Sequence, residues 1–247
     1  MQCCVYQPRT YRQQYRVDTL DPCWLCDGES DLLILADHDI QKEAHRCLCE
    51  TRAALIDYMQ GHIEFAESLD PVQVAETAPE IVHAMSDAGC RVGVGPMAAV
   101  AGAISEAVAR MLHIPDHDII IENGGDIYAF TKHPLKVALY AGASPLSMKI
   151  GLVVKDCQDG MSVCTSSGSV GHSLSMGNAD CVTVIARNGA LADAAATALG
   201  NMVQTTMDID RVLAVGNEIK DVRGVAIILG HHVGILGKQL ELCSVGS

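Results

Sequence analysis

The chain has 247 residues and a formal net charge of −13, with 49% hydrophobic and 19% charged side chains. That length and balance describe a folded chain with ample material for a core, and they exclude disorder. A chain this acidic lacks the clustered Lys and Arg that phosphate backbones require, which excludes nucleic acid as the partner. No membrane span is expected: the longest weakly charged stretch, Cys90 to Ile104, is rich in Gly and Ala and runs into Glu106 and Arg110. It falls short of the roughly 20 apolar residues a span needs. Eleven cysteines is an odd number, and Met1 to Arg16 carries Arg9, Arg12 and Arg16 without an apolar signal region. Both features point to the cytoplasm and to reduced thiols.

In chain order, Val5 to Val17 alternates like a strand or hairpin at a sheet edge. Asp21 to Gly28 reads as a loop carrying Cys23-Trp24-Leu25-Cys26, and Asp31 to Ala36 as a strand. From Ile40 to Met59 apolar residues recur at helical spacing (Ala44, Cys47, Leu48, Thr51, Leu55, Tyr58), so an amphipathic helix ending near Gly61 is predicted. Asp70-Pro71 offers a cap and a first helical position for a second helix through Val82 and Met85, broken or kinked at Pro79. A third helix is predicted over Met97 to Leu112. Strands follow at Ile119–Glu122 and on to Phe130 after a turn, then at Lys136–Tyr140, Lys149–Val154, Ser162–Thr165 and Asp180–Ala186. Asn188-Gly189 opens a helix to Val203, a short helix covers about Ile209 to Val215, and Gly224–Leu229 with Val233–Leu236 forms a hairpin. Strands at hairpin distances without intervening helices imply an α+β fold, an antiparallel sheet with packed helices.

Four features carry candidate chemistry. Gly93-x-Gly95-x-x-Ala98 enters the third helix, whose start could hold an anion. It also satisfies a loose dinucleotide fingerprint, although Glu122 lies farther on than the roughly 20 residues that fingerprint expects. A tight turn between close-packed elements is the plain alternative. Glu122-Asn123-Gly124-Gly125-Asp126 brings two carboxylates and an amide out of a buried strand, with glycines that admit a ligand close to the backbone. Thr165-Ser166-Ser167-Gly168-Ser169 is a donor-rich loop suited to a phosphate or oxyanion, and His172 beyond it could move a proton at neutral pH. In the Ala-rich segment Leu191 to Asn201, Asp193 and Thr197 share a helix face. Their oxygens, with nearby carbonyls, suit a hard cation such as Mg2+. The bland alternatives are a solvated glycine hairpin, a plain Ser/Gly loop and a first-turn helix acid. Cys23-x-x-Cys26 with Cys47-x-Cys49 matches no zinc spacing, and Cys90, Cys157, Cys164 and Cys181 read as small core residues. His231-His232 reads as a surface turn.

Taken together, the last three features resemble the ApbE superfamily of FAD:protein FMN transferases over roughly residues 91 to 203. Asn123-Gly124-Gly125-Asp126-Ile127 resembles that family's Asn-x-Gly-Gly-Asp-Ile turn, and Thr165-Ser166-Ser167-Gly168 its Thr-Ser-Gly loop. Ala192-Asp193 through Leu199 resembles its magnesium-binding helix, which implies metal binding at Asp193, Ala196 and Thr197. A branch of the superfamily shares the Gly-Val-Gly-Pro-Met, Glu-Asn-Gly-Gly-Asp and Thr-Ser-Ser-Gly-x-x-Gly-His-Ser stretches across almost the whole chain. The family's His-(Ile/Val)-(Ile/Val)-Asp-Pro segment has no counterpart here, and His172 stands in its place as a substitute.

The resemblance implies a T-fold-like ApbE domain over 1–247, with N-terminal elements to 90, a glycine-rich core over 91–203 and a C-terminal helix and hairpin over 204–247. It implies Mg2+ with FAD or FMN as cofactors, and action on FAD or a related nucleotide diphosphate. The pyrophosphate would lie at Gly93, Gly95, Glu122 to Gly125 and Thr165 to Ser169, with His172 and Asp126 catalytic. A protein acceptor and a homo-oligomer are compatible partners. The alternative it implies is an accessory protein of sulfur assimilation into homocysteine, with a sulfur-metabolism partner and no flavin transfer. A Rossmann-type oxidoreductase is the lesser alternative.

Overall fold

A computed structural model describes residues 12, 19–168, 176–238 and 240–245. Its main sheet has eight strands in the order β1-β2-β3-β4-β7-β8-β9-β10, every neighbouring pair antiparallel. The strands are β1 (Asp21–Asp27), β2 (Ser30–Ala36), β3 (Ile119–Asn123), β4 (Asp126–Phe130), β7 (Met161–Ser166), β8 (Cys181–Ala186), β9 (Val222–Leu229) and β10 (His232–Gly237). A second sheet pairs β11 (Leu240–Ser244), β6 (Ile150–Val154) and β5 (Leu135–Ala138). The helices are α1 (Gln41–Gly61), α2 (Ile63–Glu67), α3 (Glu80–Val92), α4 (Val100–Leu112), α5 (Gly189–Met202) and α6 (Ile209–Glu218).

The central strands are buried on both faces, which is why they read as continuous apolar runs rather than alternating ones. Leu32, Ile34, Ile119, Ile121, Tyr128 and Phe130 face α1, α3 and α4. Val182, Val184, Val225 and Ile227 of the same sheet face α5 and α6. The intervening residues, among them Leu33, Leu35, Ile120, Ile127 and Val163, pack on the opposite side against Val137, Leu152 and Val154 of the small sheet. The result is three layers: helices, the large sheet, the small sheet. Among the described residues no single helix is long and apolar enough to cross a membrane.

The structure amends the sequence reading at several points. Residues 21–27 form edge strand β1 rather than a loop. Cys23 and Cys26 therefore leave the strand on opposite faces, and three residues of extended chain separate them by about 10 Å, beyond disulfide or shared-metal reach. The Asp70-Pro71 signal starts no helix. The helix begins only at Glu80, with Pro79 immediately before it as the cap residue. The expected helix at Met97 opens as a 3-10 turn over Pro96–Ala99 before α4. Helix α2 and strand β11 are additions. Cys90 is exposed, whereas Cys157, Cys164 and Cys181 are buried as expected. The hairpin expected over Val5 to Val17 lies outside the described residues, except for Arg12.

Candidate functional site

The site grows from the β3–β4 hairpin. Asn123 pairs with Asp126 across a two-residue turn in which Gly124 (φ 68°) and Gly125 (φ 106°) both adopt left-handed backbone. Glycine alone enters that region without strain. A side chain at Gly125 would meet nothing within 4 Å, so the space over the turn is open to a ligand.

Side-chain alternation then sorts the acidic residues. Asn123 and Asp126 point to the helical face and Glu122 to the other. The Asn123 amide Nδ2 donates to the Ala101 carbonyl (3.3 Å), at the start of α4. The Asp126 carboxylate accepts from the Thr165 backbone N–H (3.0 Å) at the end of β7, and its own carbonyl accepts from Ser105 Oγ (3.2 Å). The buried Asp193 of α5 accepts through Oδ2 from Gly102 N–H (2.9 Å). Three elements remote in sequence thus bring Asn123, Asp126, the Thr165 backbone amide and Asp193 together at one end of the sheet, while the Thr165 hydroxyl turns to the other face and meets Thr183 Oγ1 (2.9 Å).

Close packing makes this possible. A Cβ on Gly102 would lie 2.3 Å from the Gly189 carbonyl and 2.8 Å from Asp193 Cβ. Helices α4 and α5 therefore touch backbone to backbone. Two side chains fix the start of α5: Asn188 accepts from Leu191 N–H (2.7 Å), and Glu106 accepts from Gly189 N–H. Glu106 is in turn held by Arg110 Nε (2.7 Å), whose guanidinium also donates to the Tyr128 hydroxyl (2.9 Å). A cavity of about 620 Å³ opens on that flank between α3, α4 and α5, lined by Arg91, Arg110, Arg187 and Arg223 among others. Neither Asp126 nor Asp193 lines it.

The electrostatics single out Asp193. Burial raises its pKa well above the usual carboxylate range, and the neighbouring Asp126 charge raises it further. The amides of Gly102 and Ala101 oppose this only partly. Burial likewise pushes the Cys164 thiol well above its usual value, helped by Asp126 and Asp193. That thiol sits 3.1 Å from Ser162 Oγ and donates to the Gly189 carbonyl (3.7 Å).

Two buried carboxyls that disfavour each other's charge fit a divalent cation, whose charge removes the conflict. The donors are all oxygen, as a hard ion requires. One turn beyond Asp193, on the same face, lie Ala196 and Thr197. Gly200 closes that face, 3.7 Å from Ser166 Oγ as measured from where its Cβ would be.

Other sequence-predicted residues are placed differently. Glu122 does not join Asp126 and Asp193. Its carboxylate faces the opposite layer and is engaged by Arg12 Nε and by Gly125 N–H (2.6 Å), because strand alternation sends neighbours 122 and 123 to opposite faces. Arg12 also donates to Asp31 Oδ1 (2.8 Å). Gly93 ends α3 in a left-handed cap, its N–H bonded to the Gly89 carbonyl (2.8 Å). Gly95 is packed so tightly that a Cβ would sit 1.9 Å from the Ser68 carbonyl, leaving no space for a phosphate. The helix start they introduce does face an anion, namely Asp193 of this chain. Ser166 and Ser167 are buried, and Gly168 N–H donates to the Ala179 carbonyl (2.9 Å). Ser169 and His172 lie outside the described residues. The Gly102 and Ala101 amides that hold Asp193 were missed. The glycine inside an otherwise regular helix at 102 was the available signal.

The antiparallel sheet excludes the doubly wound Rossmann alternative. A family model described as AbpE bacteria matches residues 15–229. A UPF0280 protein from Methanococcus aeolicus is 41% identical over 200 residues, covering 79% of this chain and 81% of the relative. The fold is similar to that of the flavin transferase ApbE from Vibrio cholerae, with a TM-score of 0.52 at 14% identity over 89% of this chain and 97% of that one. An ApbE protein from Thermotoga maritima gives a TM-score of 0.54 at 12% identity over 87% of this chain and 96% of that one.

Proposed function

The chain belongs to the AbpE bacteria family, and from that membership we infer that it is an Mg2+-dependent protein acting on FAD or a related nucleotide diphosphate. The observation that carries this reading is the meeting of Asp126 and Asp193, two buried carboxyls from different elements, beside the open Gly124-Gly125 turn. Asp193 and Thr197 would hold the ion, with the Ala196 carbonyl and with Asp126 adjacent. Bound there, Mg2+ supplies a Lewis acid that neutralises pyrophosphate charge.

The chain's own residues do the rest. The glycine turn lets the ligand approach the backbone. Asn123 is fixed by Ala101, and Asp126 by Thr165, so both keep their orientation without the ligand. Preorganisation of this kind lowers the ordering cost of binding. Thr165 commits its amide to Asp126 and its hydroxyl to Thr183, and Gly168 its amide to Ala179, so in this reading the ion and the open glycine turn meet the phosphate oxygens, with Ser169 following beyond. In the transfer reaction, an acceptor hydroxyl oxygen forms the new bond to the flavin-side phosphorus. The bond to the bridging oxygen breaks and AMP leaves. His172 takes the hydroxyl proton. The acceptor is a protein Ser or Thr.

Calorimetric titration with FAD, ADP, FMN and AMP, each with Mg2+ and with EDTA, tests this reading. Pyrophosphate recognition predicts saturable, Mg2+-dependent binding of FAD and ADP and much weaker binding of FMN and AMP. Equal binding of all four, or none, contradicts it.

A further inference from the structure

At the opposite end of β2 and β3 from the acidic pair, a second cluster has ligand chemistry of a different kind. Asp37 and His38 follow β2, and His117 and Asp118 precede β3. Because Ala36 pairs with Ile119, the antiparallel register carries these flanking residues alongside one another. The backbone continues the pairing, with Asp37 N–H donating to the Asp118 carbonyl (3.4 Å). The carboxylate of Asp37 is divided between two tasks. Oδ2 accepts from Asp118 N–H (3.2 Å), which fixes the group. Oδ1 faces two imidazoles, with His38 Nδ1 at 2.8 Å and His117 Nδ1 at 2.9 Å. The two rings meet edge to face with centroids 4.9 Å apart.

From this geometry we propose that Asp37, His38 and His117 form a binding site for a divalent transition metal ion such as Zn2+ or Co2+. One carboxylate oxygen and two imidazole nitrogens, all within 4.8 Å of one another, are available to it. Ligand atoms about 2.0–2.1 Å from one ion, at angles between square and tetrahedral, lie about 2.8–3.4 Å apart. The two measured nitrogen–oxygen separations fall in that range. The N2O donor set selects metals that favour imidazole over Mg2+ or Ca2+. Asp118 N–H acts as the outer partner that orients the carboxylate.

On binding, each ring presents the Nδ1 lone pair and carries its proton on Nε2. That nitrogen of His38 is buried with no partner among the described residues, so the site binds more weakly than a closed structural zinc centre. Three protein ligands and partial exposure leave coordination positions to water. An ion here would tie the exit of β2 to the entry of β3.

Co2+ titration of the reduced full-length protein, followed by visible absorption and by metal counting, tests the proposal. Wild type is expected to bind one more equivalent of Co2+ than His117→Ala or His38→Ala, with weak visible bands. Near-ultraviolet thiolate charge transfer should be absent from the wild-type-minus-variant difference. His117 is partly exposed, and circular dichroism checks that its variant is folded. Asp193→Asn is expected to retain the site, which separates it from the acidic pair. Equal stoichiometry in wild type and both His variants, no bound Co2+, or a difference spectrum dominated by thiolate bands would overturn it.

Discussion

Replacing Asp193 by Asn removes one ionisable group from the acidic pair while keeping a carbonyl oxygen for the Gly102 N–H, now 2.9 Å from Oδ2. In the unfolded chain this carboxyl titrates at its ordinary value of 3.8, and in the folded protein burial and Asp126 hold it well above that. The folded state therefore binds the proton more tightly than the unfolded state. Stability from this group is complete below the unfolded value and is lost as pH rises toward the folded one. Within that window each pH unit costs the wild type about 1.4 kcal/mol, and the Asn variant escapes the cost. In EDTA, denaturant unfolding should show the variant gaining on wild type as pH rises above the unfolded value of 3.8. Mg2+ should reverse the order. At 100 times its Kd a bound ion stabilises the wild type by about 2.7 kcal/mol and leaves the variant unchanged. Parallel pH profiles in EDTA, or equal stabilisation of both proteins by Mg2+, would refute the electrostatic account of this site.

Two further perturbations probe its supports. Gly102→Ala places a methyl 2.3 Å from the Gly189 carbonyl, and such overpacking should cost about 1–3 kcal/mol in urea unfolding and weaken Mg2+ binding as well. Arg12→Ala strips the guanidinium from the buried Glu122, which should cost about 3–5 kcal/mol. The Arg12→Ala/Glu122→Gln double variant should recover part of that loss, and a double variant no more stable than Arg12→Ala would contradict the pairing.

Much of this was legible from residues alone where local pattern and burial agree. Helix α1 buries Ala44, Cys47, Leu48, Thr51 and Leu55, the same stripe its spacing announces. Asn188 caps α5 as its residue type suggests. The Asn123–Asp126 turn and the Asp193 helix were visible as motifs, because glycine at left-handed positions and a lone acid among alanines are local signals. Strand β1 was not legible. It is an edge strand with a mostly exposed pattern and Pro22 near its start, where neither packing nor a central ladder imposes alternation. The Asp70-Pro71 signal failed because a plausible cap does not compensate for Pro79 nine residues on. Within the site, the separation of Glu122 from Asp126 depends on hairpin register, and the contact of Gly102 with Asp193 joins residues 91 apart. No window of sequence carries the second fact, whereas the first follows from alternation once the two-residue Gly124-Gly125 turn is recognised.

The central claim, that Asp126 and Asp193 form the metal-dependent seat of a flavin nucleotide, is tested most directly by equilibrium FAD binding. Wild type, Asp126→Asn and Asp193→Asn would be compared with and without Mg2+, folding of each being confirmed by circular dichroism. The account predicts saturable binding to wild type in Mg2+ alone, weakened at least tenfold in either variant, about 1.4 kcal/mol or more. Mg2+-independent binding, or binding unchanged in both folded variants, would contradict it.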